Sequence, residues 1–325
     1  MKILITGGAG FIGSHASEHF LAQGHRVVAI DNFDPYYPEA RKRRNIVEAL
    51  KNPQYRLVQC DYGDRLVVSK LLQEEGFDVV LHLAAQAGVR PSIENPLKYE
   101  RNNVGNLIAM LEAMREHGPR KIVAASSSSV YGNNTPAPFR EDAPCMLPMS
   151  PYGASKRASE IFLGTYCGLY GFAATVVRPF TVYGPRQRPD MAIALFTSKV
   201  LAQQTLTVFG DGSTARDYTF VSDIVAGLAA AVEKCSEGIQ IYNLGNGKPH
   251  TLNELLATVE KATGQKAIIQ RKPLQPGDVE RTMADITRAR ADLGYTPQVG
   301  LEEGVSRTVA WLKEEQKNGR EAARA

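Results

Sequence analysis

Lys2-Ile-Leu-Ile-Thr6 runs straight into Gly7-Gly8-Ala9-Gly10-Phe11-Ile12-Gly13, and residues 11–23 continue with helical spacing up to Gly24. A short β-branched run, a glycine turn and a helix closed by glycine make the opening of a strand–turn–helix unit. Glycine permits the turn, lets a ligand come close to the backbone and allows tight helix–strand packing. The helix directs its unpaired N–H groups and the positive end of its dipole at the turn, which suits a pyrophosphate. The next strand pattern, Arg26-Val-Val-Ala-Ile-Asp31, ends on a carboxylate at about the 20-residue spacing expected of a ribose-hydroxyl acceptor. Asp31 has bland alternatives, a helix cap or a surface charge. Taken with the turn, it reads as part of a dinucleotide site, with Gly7, Gly10, Phe11, Ile12 and Gly13 around the phosphates. A 2′-phosphate would meet the carboxylate, so NAD is expected rather than NADP.

Continuously apolar runs recur at 55–60, 77–83, 121–126 and 173–178, with helix-length segments such as 64–75 and 102–117 between them. Strands alternating with helices, and apolar on both faces, predict a Rossmann-type, doubly wound parallel sheet in an α/β chain. After Pro179 the rhythm breaks. Residues 181–189 read as a Pro/Gly/Arg loop, 191–202 as a helix, 206–209 as a strand and 223–233 as a strongly apolar helix. Further helices are expected at 252–263 and 284–293, and the charged tail from Glu314 is expected to fray. The predicted division is a dinucleotide domain over 1–180 and a smaller α/β substrate domain over 181–325. A strand near 239–245 is the candidate for return to the first sheet.

The composition narrows the class. At 325 residues, about two domains are expected. With 43% hydrophobic and 22% charged residues, neither disorder nor a collagen-like repeat fits. The balance of 38 Lys+Arg against 34 Asp+Glu, or +4, is too even to point to nucleic acid or a membrane surface. The longest apolar run, 224–232, falls short of the ~20 residues of a membrane span. Cys60, Cys145, Cys167 and Cys235 show neither metal-ligand spacing nor disulfide density, so no metal and a reducing compartment are expected. The first strand and glycine turn leave no room for a signal-peptide core, and a cytoplasmic location follows as an expectation.

Pro151-Tyr-Gly-Ala-Ser-Lys156 opens a helix, which sets Tyr152 and Lys156 on one face. A nearby cation lowers a phenol from its usual pKa near 10 by about 1–3 units, enough to let it exchange protons. An exposed Tyr/Lys pair would look the same in isolation. The four hydroxyls Ser126 to Ser129 favour a site, because they close a buried strand, where open α/β sheets bind ligands.

The spacing Gly7-x-x-Gly10-x-x-Gly13 resembles the extended branch of the short-chain dehydrogenase/reductases. The resemblance implies an adenine contact at Asp61 and a cofactor-flanking segment at Leu83, Ala84 and Ala85. Asn32, Tyr62, Asn103, Tyr152 and Lys156 complete the implied NAD set. The catalytic serine stands four residues before the tyrosine of Val130-Tyr131-Gly132, so Ser127, Tyr152 and Lys156 form the implied triad.

The likeness is nearest to nucleotide-sugar 4-epimerases, and among them to UDP-glucuronate 4-epimerases. It is carried by Ala84-Ala-Gln-Ala-Gly-Val-Arg90, by Arg178-Pro-Phe-Thr-Val-Tyr-Gly-Pro-Arg-Gln-Arg-Pro-Asp-Met191 and by Arg216-Asp-Tyr-Thr-Phe-Val-Ser-Asp223. Related dehydratases and decarboxylases carry Asp or Glu just after the catalytic Ser/Thr. Ser128 and Ser129 stand here instead, which favours simple epimerisation of UDP-glucuronate to UDP-galacturonate through a 4-keto sugar. By the same resemblance, Ser128 and Thr181 are expected at the substrate carboxylate, with Arg188 or its neighbour Arg186 assisting. Arg216 is expected at the diphosphate unless it pairs with Asp217, and Thr207 and Phe209 near the uracil unless that strand is plain packing. A UDP-glucose/UDP-galactose or N-acetylhexosamine epimerase is the chief rival, followed by a decarboxylase or dehydratase and by a non-catalytic NAD-binding regulator. Two positions depart from the pattern, Asn106 at a usual glycine and Arg281 at a usual small residue. The family also implies a homodimer through helices near Asn103 and Tyr152. The basic run Arg41-Lys-Arg-Arg44 reads as a solvated helix face.

Overall fold

Continuously apolar strands need cover on both faces, and one sheet answers that need for most of them. The structure, a computed structural model, describes residues 1–273 and 279–322. The first part of the chain alternates β1 (Lys2–Thr6), α1 (Phe11–Ala22), β2 (Arg26–Asp31), the short helices α2 (Glu39–Asn45) and α3 (Val47–Leu50), and β3 (Tyr55–Gln59). It continues through α4 (Arg65–Glu75), β4 (Val79–His82), α5 (Val89–Glu94), α6 (Pro96–Glu100), α7 (Asn106–His117), β5 (Lys121–Ala125), α8 (Pro151–Tyr170) and β6 (Ala173–Pro179). The remainder holds β7 (Thr181–Tyr183), α9 (Ala192–Leu201), β8 (Leu206–Phe209), β9 (Ala215–Phe220), α10 (Val221–Glu233) and β10 (Gly238–Leu244). Last come β11 (Pro249–Thr251), α11 (Leu252–Thr263), β12 (Ile269–Lys272), α12 (Thr287–Leu293) and α13 (Leu301–Ala322).

The large sheet runs β10-β6-β5-β4-β1-β2-β3, every neighbouring pair parallel. It is the Rossmann-type α/β sheet that the pattern predicts. Successive side chains of a strand point to opposite faces. Accordingly Ile3 and Ile5 join one buried cluster with Val27, Leu81 and Val123, while Leu4 joins the other with Val28, Val80 and Ile122. The first cluster packs under α1 and α10, the second under α4, α7 and α8. Strand order reverses at β1, whose neighbours are β2 and β4. Such a switch point opens a crevice beyond the carboxyl ends of the strands. β10 comes from late in the chain, yet it completes the sheet beside β6 in a seven-residue register from Gly238↔Ala173 to Leu244↔Pro179.

Two small sheets follow the large one: β11-β9-β7, with β7 parallel and β11 antiparallel to β9, and β12 beside β8. The structure departs from the sequence reading at several elements. Thr181–Tyr183, expected in a loop, is strand β7, because its short Thr-Val-Tyr run finds β9 as a partner. The helix expected from 102 starts as a π-helical turn, Arg101–Gly105, that runs into α7. The helix expected from 284 begins at Thr287. The tail expected to fray from Glu314 continues α13 as far as Ala322, with Glu315 paired to Arg44, and residues 323–325 lie outside the described residues. Among the described residues, no helix is long and apolar enough to cross a membrane.

Candidate functional site

Backbone hydrogen bonds close the first half of the glycine turn. The amides of Gly7 and Gly8 donate to the Ile30 carbonyl at 2.7 and 3.2 Å, and Gly10 N donates to Gly7 O at 3.0 Å. Gly7 sits at φ +70°, and a Cβ on it would come within 2.9 Å of the Ala84 backbone. A Cβ on Gly13 would collide with the Gly7 carbonyl. The start of α1 has no side-chain cap at Gly10, so its first N–H groups are left to the crevice. Asp31, at the end of β2, is buried beside the turn. Its Oδ2 accepts from Ala9 N at 3.1 Å and its Oδ1 from Phe33 N at 2.8 Å. Lys42 approaches the same Oδ1 at 3.5 Å and is itself buried. One member of the basic run thus turns inward, although the sequence reading placed all four residues in solvent.

The turn opens into a cleft of about 650 Å³. Gly7, Gly10, Phe11, Ile12, Gly13, Asp31, Asn32, Asp61, Tyr62, Leu83, Ala84 and Ala85 all line it. Asn103 does not. It lies behind the wall, 2% exposed, where its Oδ1 accepts from Gln86 N at 2.7 Å and its Nδ2 donates to Gln86 O and Ser155 Oγ. From there it supports the segment that flanks the cleft. Asn106, the departure from the glycine pattern, reaches the cleft and donates to Asp61 Oδ1 at 2.9 Å.

The opposite wall carries the hydroxyl cluster. Ser150 caps α8 by accepting from Gly153 N at 3.1 Å, which fixes the first turn on which Tyr152 stands. Three residues at the end of β5 then meet three residues spaced by four along α8. Lys156 Nζ donates to the Ala125 carbonyl at 2.7 Å, Ser126 Oγ donates to Glu160 Oε1 at 2.6 Å, and the Ser127 hydroxyl lies near enough to Tyr152 to favour its ionised form. Ser127 Oγ also accepts from Ser129 N at 3.1 Å. The triad therefore converges on the cleft, which Ser127, Tyr152 and Lys156 all line.

Electrostatics modify the expected chemistry. Burial pushes the Tyr152 phenol above its ordinary value, while the nearby Ser127 hydroxyl and the Arg188 guanidinium act against it. The sequence predicts a phenol lowered by Lys156. In the protein the opposing cation is Arg188, and desolvation outweighs it. Lys156 is pushed down to about 8 by burial, with Glu160 opposing. Glu160 is clamped by Arg178, whose Nε and Nη2 reach its two oxygens at 2.9 and 2.8 Å, and by Arg157 at 2.9 Å. Arg178 also donates to Tyr131 OH, which donates to Asn243 Oδ1 on β10, so the late-returning strand braces the floor of the site.

The structure separates the two candidate arginines. Arg186, at φ +67°, turns onto α1 and pairs with Glu18 at 2.8 Å. Arg188 lines the cleft, held by Asp190 at 2.9 Å and stacked over Tyr36. Ser128, Thr181 and Arg216 also line it. Arg216 does not pair with Asp217. The Asp217 carboxylate points inward, accepting from Asn246 N, Gly247 N, Ala284 N and Thr219 Oγ1, while Arg216 donates to the Ala215 carbonyl. Thr207 and Phe209 lie on β8 and are not among the cleft-lining residues. Phe209 meets the cleft through Arg90, whose guanidinium stacks on its ring at 4.9 Å. Arg281 is exposed and outside the lining, and Gly277 and Asp278 lie outside the described residues. Among the described residues, no group of three or more His, Cys, Asp or Glu side chains is placed to hold a metal ion.

Tyr36, Tyr37, Lys42, Arg90 and Asp190 also line the cleft, and none was singled out from the sequence. Tyr36 and Tyr37 follow Asp31 in a loop with no periodic signal. Arg90 and Asp190 do fall within motifs that carry the resemblance, and Lys42 within the basic run, and those were the available hints.

A family model described as GDP-mannose 4,6 dehydratase matches residues 4–308. The chain is 39% identical over 312 residues to a UDP-glucuronate 4-epimerase of Thermodesulfobacterium geofontis, covering 96% of both proteins. A solved UDP-glucuronic acid 4-epimerase from Bacillus cereus, in complex with UDP-glucuronic acid and NAD, is similar at a TM-score of 0.91 and 36% identity, over 97% of this chain and 100% of that one. A UDP-glucose 4-epimerase from Thermotoga maritima, solved with UDP-glucose, follows at 0.89 and 33%, with the same coverage. A family match over most of the chain, and relatives and structures alike across nearly its whole length, place it: the chain belongs to the GDP-mannose 4,6 dehydratase family of extended short-chain dehydrogenase/reductases, on its nucleotide-sugar 4-epimerase branch.

Proposed function

We propose that this chain is an NAD-dependent 4-epimerase that interconverts UDP-glucuronate and UDP-galacturonate through a transient 4-keto sugar. The observation that carries the reading is a single cleft with the uncapped glycine turn on one wall and Ser127, Tyr152 and Lys156 on the other. Similarity to epimerases that bind NAD and UDP-glucuronic acid supports it. The cradle fits a dinucleotide, since its close approaches exclude a Cβ at Gly7 and Gly13 and Asp31 stands at the end of β2. NAD held there supplies a hydride acceptor and, on the return step, a hydride donor.

The chain's own residues do the rest. Tyr152 exchanges the proton of the C4 hydroxyl, with the Ser127 hydroxyl beside it on the same wall of the cleft. Lys156, anchored on Ala125, stands one helical turn beyond the phenol on the same wall, while Arg188 supplies the cation that opposes its burial. A 4-keto uronate readily loses carbon dioxide, so its carboxylate must be gripped without an acid beside it. Ser128 and Thr181 offer hydroxyls, and Arg188 a forked cation. Arg216 faces the diphosphate. Phe209 serves the uracil end through its stack with Arg90, and Thr207 stands beside it on β8. We assign the dinucleotide to residues 1–180 together with β10, and most contacts to the nucleotide sugar to 181–325. A homodimer through α7 and α8 fits the exposed Ile161 and Leu169 on α8, and the free cysteines fit a cytoplasmic site.

The test is a substrate comparison. UDP-glucuronate is expected to yield UDP-galacturonate with no net NADH, and to outpace UDP-glucose. The reading fails if UDP-glucuronate is inert while UDP-glucose turns over. Tyr152→Phe is expected to lower kcat by about 10²–10⁴-fold, and unchanged activity would point to a non-catalytic NAD-binding protein.

A further inference from the structure

Asp61 is held from three sides. Its Oδ1 accepts from Gly63 N at 2.8 Å and from the Asn106 side chain at 2.9 Å, while its Oδ2 accepts from the Asn32 side chain at 2.9 Å. Asp61, Asn32 and Asn106 all line the cleft, where it continues past the ends of β2 and β3. An ionised carboxylate offers about four lone-pair positions, two on each oxygen. Both positions of Oδ1 are taken, and one of Oδ2. A single acceptor position remains, and its direction is fixed because the carboxylate cannot rotate without breaking bonds to three separate segments of the chain. Gly63 belongs to the same device. The Asn106 amide lies so close to its α-carbon that a Cβ at position 63 would overlap it.

We propose that Asn106 determines which base the dinucleotide site accepts: by locking Asp61 Oδ1 it leaves Oδ2 as the one acceptor, aimed at the exocyclic amino group of adenine. The inference rests on the reading of Asp61 as the adenine-side contact. A base with a carbonyl in place of that amino group sets an acceptor against Oδ2, and a site built to accept a donor rejects such an analogue. Hypoxanthine still carries an N–H on the neighbouring ring nitrogen. A mobile carboxylate would swing to meet it, whereas the locked one stays aimed at the carbonyl. Discrimination therefore comes from the lock rather than from Asp61 alone.

The test uses the full chain loaded with NAD or with nicotinamide hypoxanthine dinucleotide, and follows release of each after dilution. The wild-type protein is expected to release the hypoxanthine analogue about tenfold faster than NAD. Asn106→Gly and Asn106→Ala are both expected to shrink that ratio to about threefold or less, chiefly through slower release of the hypoxanthine analogue. The alanine variant avoids a glycine in the first turn of α7. Gly63→Ala, which displaces the Asn106 amide without removing it, is expected to shift the ratio in the same direction. If the wild type discriminates and all three variants keep its ratio, the role of Asn106 is overturned while the reading of Asp61 stands. If the wild type releases both dinucleotides equally, the adenine reading of Asp61 fails and the proposal fails with it.

Discussion

Glu160→Gln removes one charge from the floor of the site and alters almost no volume. Glu160 is 2% exposed and Arg178 1%, so the pair is out of water. The carboxylate accepts four hydrogen bonds, two from Arg178, one from Arg157 and one from Ser126. Burial alone would push it up, yet these bonds hold it below the usual carboxylate range. An amide offers one oxygen, and its NH2 group faces the guanidinium donors. Arg178 is then a buried cation without its counter-charge, a defect that costs about 3–5 kcal/mol. At about 2 °C per kcal/mol for a chain of this size, the unfolding midpoint is expected to fall by about 6–10 °C.

Two measurements make the argument specific. Arg178→Met in the Glu160→Gln background removes the stranded charge, so the double variant is expected to recover most of the loss, as a thermodynamic cycle in urea would read. The second is the pH profile. Lys156 is pushed down to about 8 by burial, with Glu160 opposing. Loss of the opposing charge moves Lys156 lower still, so an alkaline limb of kcat/KM that reports its ammonium is expected to move to lower pH. A stability loss under about 1 kcal/mol, together with an unmoved alkaline limb, refutes the reasoning.

Gly13→Ala places a methyl on the Gly7 carbonyl, an overpacking worth about 1–3 kcal/mol that also distorts the phosphate cradle. Weaker NAD binding by equilibrium dialysis and a lower unfolding midpoint are both expected, and wild-type NAD affinity would count against the cradle. His82 is buried on β4 with its Nδ1 2.8 Å from Thr6 Oγ1, and burial, then Lys156, pushes it down to about 3. The unfolded state takes up this proton near pH 6.5 and the folded state only near 3, so the histidine withdraws stability as pH falls through that window. His82→Gln is expected to show a smaller fall in urea midpoint between pH 7 and pH 4 than the wild type, and parallel curves for the two proteins would exclude the effect.

Short-range chemistry was legible in the chain before any folding. Apolar runs predicted the strands of the parallel sheet, glycine spacing predicted the turn that closes on Ile30, and the four-residue interval set Tyr152 and Lys156 on one helix face. Each of these depends on backbone geometry within one element or between immediate neighbours. Tertiary structure decided which way side chains face and what they meet. Four adjacent basic residues look alike in sequence, yet packing of α2 against the turn buries Lys42 beside Asp31 and leaves Arg43 exposed to pair with Glu39. Arg186 and Arg188 stand two positions apart, and a positive φ at the first turns it onto α1 while the second lines the cleft. Asp217 turns inward to three backbone amides from distant segments, and Asn103 supports the cleft wall from behind. The phenol of Tyr152 belongs in this second group. Its neighbours along α8 predict acidification, but burial by the whole fold raises it, because desolvation sums over every surrounding element and no local pattern carries that sum.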